Sequence, residues 1–207
     1  MDFHDVRRAW ANRDGEFSPA YYAYYGPNET SRTVRRILEQ YLDRDAAILE
    51  VGCSSGRHLS HLADHGFENL AGIEVNEEAF DVMAESYPDL ADDGRFYHDA
   101  IETVVGDFAD GQFDAIFSVE TLQHLHPDVD WVFAELARAT DDLLITVENE
   151  GDAADEEGAD PSVSYVQDEF PLFHRDWHGI FTHLGLVEVA TSEGDHDTVR
   201  AFRDPTR

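Results

Sequence analysis

Strand-like and helix-like stretches alternate between residues 47 and 147, and few architectures accommodate that order. Apolar or aromatic runs at 47–51, 70–75, 95–98, 113–119 and 143–147 are each about the length of one strand. They are nearly continuous rather than alternating with polar residues, as expected of strands covered on both faces. The stretches between them repeat apolar residues at helical spacing. Leu59, Leu62 and Ala63 share one face ahead of a stop at Gly66. Asn76 is placed to cap a helix that carries Glu77 and Glu78 in its first turn and Phe80, Met83, Ala84 and Tyr87 on its apolar face. Pro127 is expected to open a helix bearing Val129, Val132, Phe133, Leu136 and Ala137. Upstream, Val34, Ile37, Leu38, Tyr41 and Leu42 predict one more helix. Downstream, a helix over 174–184 and two strands, 186–191 and 198–202, close the pattern, the last pair adding an antiparallel edge. The acidic, glycine-containing stretch 150–160 is expected to be a solvated loop. The fold class is therefore α/β, with a doubly wound, mostly parallel sheet.

In such sheets ligands gather at the carboxyl ends of the strands. There the chain reads Glu50-Val51-Gly52-Cys53-Ser54-Ser55-Gly56. Gly52 permits a sharp turn and Gly56 a close helix–strand approach, while the following helix start offers unpaired N–H groups to an anion. An acid at the strand end suits an ammonium group. The same residues also suit a plain strand-to-helix turn. Glu74, about 20 residues beyond Gly52, adds weight, because an acid at that distance and at a strand end can pair with ribose hydroxyls. The spacing is G-x-x-x-G and not G-x-G-x-x-G, which counts against the rival reading, a nicotinamide-linked dehydrogenase.

With Gly72-Ile73-Glu74, Asp99-Ala100, Phe113-Asp114-Ala115-Ile116-Phe117-Ser118 and Leu122-Gln123-His124-Leu125 added, the chain resembles the class I S-adenosylmethionine-dependent methyltransferases of the small stand-alone type, over roughly residues 45–148. The resemblance implies a Rossmann-like seven-stranded sheet over 45–207, preceded by a helical extension or lid over 1–44. It implies S-adenosylmethionine as cofactor. Glu50, Gly52, Cys53, Ser54 and Gly56 would surround its methionine end, with Glu74 and Val75 at the ribose. Asp99 and Ala100 would face the adenine, and Ser118 and Val119 would lie beneath the cofactor. One departure stands out: the family often has Glu-His where this chain has Gln123-His124.

Methyl transfer from a sulfonium needs alignment above all, and a base only where the acceptor must lose a proton. His124 is the first candidate for that base or for a contact to the acceptor, although it could equally cap the next segment. Glu120 is the second. His126, Glu148 and Glu150 sit on the same loops, and the two acids could instead be solvated. The acceptor is expected to be a small molecule because no separate recognition domain is visible. A protein or nucleic-acid acceptor stays open, as does a module that binds the cofactor without turnover. The Tyr21–Tyr25 cluster reads as a lid or as a small satellite core. Arg57 could reach a carboxylate or pair on the surface, and Arg175 and Trp177 could line the acceptor pocket. His58, His61 and His65 share a helix face but lack the company of a zinc site, so no metal is expected. Cys53 reads as a small packing residue, with an activated thiol as the alternative.

Acids outnumber bases 45 to 14 for a net charge of −31, and all 14 bases are Arg. The acids are spread evenly, so they form no acidic tail. Uniform acid with Arg but no Lys points to work in concentrated salt, where the Debye length falls to about 3 Å at 1 M. One cysteine excludes a disulfide framework. No apolar run is long enough to cross a membrane and no signal core follows Met1, so a cytoplasmic protein is expected.

Overall fold

The protein is described here by a computed structural model covering residues 3–151, 162–166, 170–194 and 196–206. Most of the expected 150–160 loop lies outside those residues. The central sheet has the order β3-β2-β1-β4-β5-β9-β8. β1 (Ala47–Val51), β2 (Asn69–Glu74), β3 (Arg95–His98), β4 (Phe113–Val119) and β5 (Thr140–Glu148) are mutually parallel. β9 (Thr198–Arg203) runs antiparallel between β5 and β8 (Val187–Glu193), so the antiparallel strand is internal and β8 forms the edge. A separate antiparallel pair, β6 (Ser162–Val166) and β7 (Phe170–His174), lies apart from this sheet.

Alternate residues of each central strand enter opposite cores. On one face Ile48, Ala115, Phe117 and Ile145 pack with Val34 and Leu38 of α3 (Glu29–Tyr41), Leu59 and Leu62 of α4 (Arg57–Ala63), Met83 of α5 (Glu78–Ser86) and Leu90 of α6 (Pro88–Asp93). On the other face Leu49, Val51, Ile116 and Leu144 pack with Ile101 of α7 (Ile101–Val104), Phe133 and Leu136 of α8 (Trp131–Ala139), and Trp177 and Phe181 of α9 (Trp177–His183). Burial on both faces is why these strands read as continuous apolar runs.

The expected caps and stops are close to those observed. Asn76 Oδ1 accepts the Glu78 amide at 3.0 Å at the start of α5. Pro127 opens a short 3-10 turn, Pro127–Val129, and the helix proper starts at Trp131. Two helices lie at the carboxyl edge of the sheet: α1 (Phe3–Ala11) and α2 (Pro19–Tyr25). Ser18 Oγ caps α2 by accepting the Tyr21 amide at 3.3 Å, with Pro19 in the first turn. The strand order reverses between β1 and β4, which opens a crevice at their carboxyl ends.

Candidate functional site

That crevice holds a cavity of about 250 Å³. Glu50, Gly52, Cys53, Ser54, Glu74, Val75, Asp99, Ala100, Val119, Glu120 and His124 all line it. Gly52 turns with φ +72°, and a Cβ there would run into the Thr121 side chain, so the position needs glycine twice over. The Gly52 and Cys53 amides both donate to Ile73 O, at 2.9 and 3.0 Å, which folds the loop back onto β2. Ser54 sits in the left-handed region at φ +47°. Its amide donates to Glu74 Oε2 at 2.8 Å, while the Val75 and Asn76 amides donate to Oε1 at 2.7 and 2.8 Å. Glu74 thus clasps the loop to the end of β2, and Oε2 is the oxygen with lone-pair capacity to spare.

Glu50 is 1% exposed, and its Oε2 has no hydrogen-bond partner among the described residues. Burial pushes its carboxyl well above the usual range, against the pull of the nearby Arg57 cation, with Glu74 pushing the same way as burial. An orphaned buried carboxylate oxygen at a cavity wall is costly unless a ligand donor meets it. This fits an ammonium group, and the glycine turn leaves the loop backbone open to a close approach. Asp99 is exposed at the end of β3, with Oδ1 accepting the Ala100 amide at 2.7 Å.

Two expected residues do not reach the cavity. Gly56, φ +83°, begins α4, where a Cβ would meet Leu90 Cδ2 at 2.8 Å, so its role is packing. Ser118 is buried and donates to Glu148 Oε1 at 2.7 Å. Cys53 packs against Gly72, and burial together with Glu50 and Glu74 pushes its thiol well up, which favours the packing reading over an activated thiol.

The loop after β4 is fixed from beneath. Glu148 is fully buried and accepts from the Ser118 hydroxyl and from the Thr121, Leu122 and Gln123 amides, at 2.7 to 3.3 Å. Burial raises its carboxyl to about 7 against those donors. Glu150 is also buried, in a two-pronged pair with Arg200 at 2.7 and 2.9 Å. Neither acid is solvated and neither lines the cavity. The anchored loop carries Glu120 in a left-handed conformation, φ +49°, an outlier that persists because the flanking amides are tied to β5. His124 Nδ1 lies 3.0 Å from Pro171 O, so Nδ1 carries the proton and Nε2 the lone pair. Burial lowers its pKa to about 4, which keeps the ring neutral and makes it a weak base.

The roof is built from the stretch expected as an N-terminal extension or lid, 1–44, but apart from Tyr22 its individual residues were not marked in the sequence. Phe3, Val6, Arg7 and Trp10 of α1 line the cavity, followed by Arg13, Phe17 and Tyr22. Phe3, Val6 and Trp10 stand at i, i+3 and i+7, the signal that could have revealed α1. Arg7 pairs with Glu102 at 3.4 Å, and Asn76 Nδ2 donates to Arg13 O at 3.2 Å. Of the tyrosines only Tyr22 reaches the cavity, and Tyr24 and Tyr25 are 83% and 63% exposed. The Arg57 guanidinium lies 4.5 Å from the Tyr22 ring centre. Its Nε donates to His58 Nε2 at 3.2 Å, and His58 Nδ1 bonds Ser31 Oγ at 2.8 Å, so Arg57 is braced through His58 to the start of α3.

Arg175 and Trp177 belong to the core. Arg175 is 4% exposed and donates to Leu125 O and Asp130 Oδ1, both at 2.7 Å. Trp177 is fully buried. His61 takes the Arg35 Nε–H at 3.2 Å, and no group of three His, Cys, Asp or Glu placed to hold a metal occurs among the described residues.

A doubly wound sheet with a roofed cavity at its strand-order reversal places a ligand-sized space where such sheets bind ligands. Residues 48–142, a little under half of the chain, match the family model described as a methyltransferase domain. Among curated proteins, EEF1A lysine methyltransferase 2 of Danio rerio is 36% identical over 59 residues, 28% of this chain and 25% of that protein. Methyltransferase GfsG of Streptomyces halstedii is 28% identical over 112 residues, 53% of this chain and 40% of that protein. The matches thus span a quarter to two fifths of those relatives' lengths. Among solved structures, the geranyl diphosphate C-methyltransferase of Streptomyces coelicolor A3(2) superposes with a TM-score of 0.69 at 14% identity, covering 97% of each chain. No helix among the described residues is long and apolar enough to cross a membrane.

Proposed function

We propose that the protein transfers a methyl group from S-adenosylmethionine to a small-molecule acceptor. The observation that carries this reading is the convergence of Glu50, the Gly52–Ser54 loop, Glu74 and Asp99 on one roofed cavity, with a buried Glu50 carboxyl oxygen that has no partner among the described residues. Glu50 would receive the ammonium group, Glu74 Oε2 a ribose hydroxyl, and Asp99 the adenine edge. When bound, the cofactor supplies a methyl group already activated by its positive sulfur.

The protein's own work is then to align donor and acceptor and to exclude water. Trp10 and Tyr22 cover the cavity, and the loop fixed by Glu148 presents Thr121, Gln123 and His124. The roof supports a small acceptor over a macromolecular one, because α1 and α2 cover the end where a protein side chain would have to enter. Calorimetric titration in ~2 M salt, where surface repulsion is screened, checks the cofactor assignment. Saturable binding of both S-adenosylmethionine and S-adenosylhomocysteine is expected. Well-folded protein that binds neither would overturn it.

A further inference from the structure

Three polar groups beneath the roof bear on what the acceptor is. Trp10 lines the cavity, and its indole Nε1–H is buried with no partner among the described residues. Gln123, 4% exposed, accepts the Asn149 amide on Oε1 at 2.6 Å. That contact identifies the oxygen end of the side chain, so the NH₂ end remains as a donor. His124 packs on Trp10 with ring centres 4.5 Å apart, and its Nδ1–H is taken by Pro171 O, which leaves the Nε2 lone pair. Two donors and one acceptor therefore line the same cavity, and all three groups are uncharged. Burial keeps the His124 ring neutral, against the pull of its hydrogen bond to the Pro171 carbonyl.

We propose that Trp10, Gln123 and His124 form the acceptor subsite, and that it takes an uncharged molecule with a hydroxyl beside a carbonyl oxygen, such as an o-hydroxyaryl amide or ketone. The inference rests on the methyltransferase reading above. The carbonyl oxygen accepts from the Trp10 and Gln123 N–H groups, and the hydroxyl donates to His124 Nε2. As the hydroxyl oxygen bonds the methyl carbon, the S–CH₃ bond breaks and its electron pair stays on sulfur, which becomes neutral. The hydroxyl proton passes to His124 Nε2 and then to water. A weak base suffices, because the oxygen becomes strongly acidic as the new bond forms. Trp10 lies outside the segment 48–142 matched by the family model, so this contact belongs to the chain's own N-terminal helix.

The test is calorimetric titration of salicylamide into protein saturated with S-adenosylhomocysteine, with benzamide and benzylamine as controls. Salicylamide should bind saturably and more tightly than either control, and with S-adenosylmethionine it should yield o-methoxybenzamide. Trp10→Phe keeps the ring packing and removes the N–H. Gln123→Glu keeps the oxygen that meets Asn149 and replaces the donor with an acceptor. Each should weaken salicylamide about three- to tenfold, the worth of one hydrogen bond, and leave S-adenosylhomocysteine affinity unchanged. Equal binding of the controls, no salicylamide binding while S-adenosylhomocysteine binds, or unchanged affinity in both variants would overturn the subsite. Failure of the wild-type protein to bind S-adenosylhomocysteine would overturn the methyltransferase reading itself.

Discussion

Glu50 is the residue where stability and function are set against each other. Its buried carboxyl has one oxygen without a partner among the described residues, which costs stability unless a ligand donor meets it. Glu50→Gln should therefore raise the melting temperature of the ligand-free protein by a few degrees. The same change should weaken S-adenosylmethionine about tenfold or more by removing a charge-assisted contact. Scanning calorimetry and titration of one sample would read both signs, and a fall in both quantities would contradict the assignment. His124 offers a pH signature. Its pKa is about 4 in the fold, against about 6.5 for an unfolded histidine. The unfolded state binds more protons between those values, so this residue's contribution is complete above pH ~6.5 and is lost as pH falls through 4. Relative to His124→Asn, the wild-type protein should lose about 2–3 kcal/mol between pH 7 and 4, read by urea unfolding at each pH.

Among the elements, the inner parallel strands were legible because their burial on both faces is written into continuous apolar runs, whereas β3, at the sheet edge and partly exposed, was legible from its aromatic pair Phe96-Tyr97. The expected limits of β1, β3 and β4 coincide with those observed. The acids at the ends of β1 and β2 were legible for a similar reason, since their places are set by local chain geometry. Glu148, Glu150 and Arg175 were not. Arg175 read as a pocket-lining residue and the two acids as loop groups facing substrate or solvent, because the partners that bury them stand 25 to 53 positions away. Within the expected extension over 1–44, α1 itself was hidden, because its nine residues become a definite helix only by docking on α7, Asn76 and β7. Glu148 shows how much one distant contact can hold. Glu148→Gln would turn an amide NH₂ toward backbone N–H donors and should cost about 2–4 kcal/mol, a drop of roughly 4–16 °C in melting temperature. Glu148→Asp, one methylene short, should fall between the two.

For the whole molecule the dominant quantity is the net charge of −31. Arginine offsets part of it through close pairs that stitch the last strands together. Arg200 reaches Glu150 and Glu188, and Arg203 grips Asp142 at 2.7 and 2.8 Å. Salt weakens those attractions, but acids exceed bases 45 to 14, so screening of repulsion wins. Lowering salt from ~2 M to ~0.1 M should therefore lower the melting temperature by several degrees, and an unchanged value would remove the case for a salt-adapted surface.

The position of β9 has a bearing on how the chain is made. β5 ends at Glu148, and the strand that pairs with its other side begins at Thr198, 50 residues later. During synthesis β5 leaves the ribosome with an open row of amide and carbonyl groups, and it keeps that row until β9 has been translated and has slid in beside it. Over that interval the nascent protein is a half-built sheet with an adhesive border. A pause or premature stop anywhere in those 50 residues leaves a fragment prone to pair with its neighbours on the same messenger.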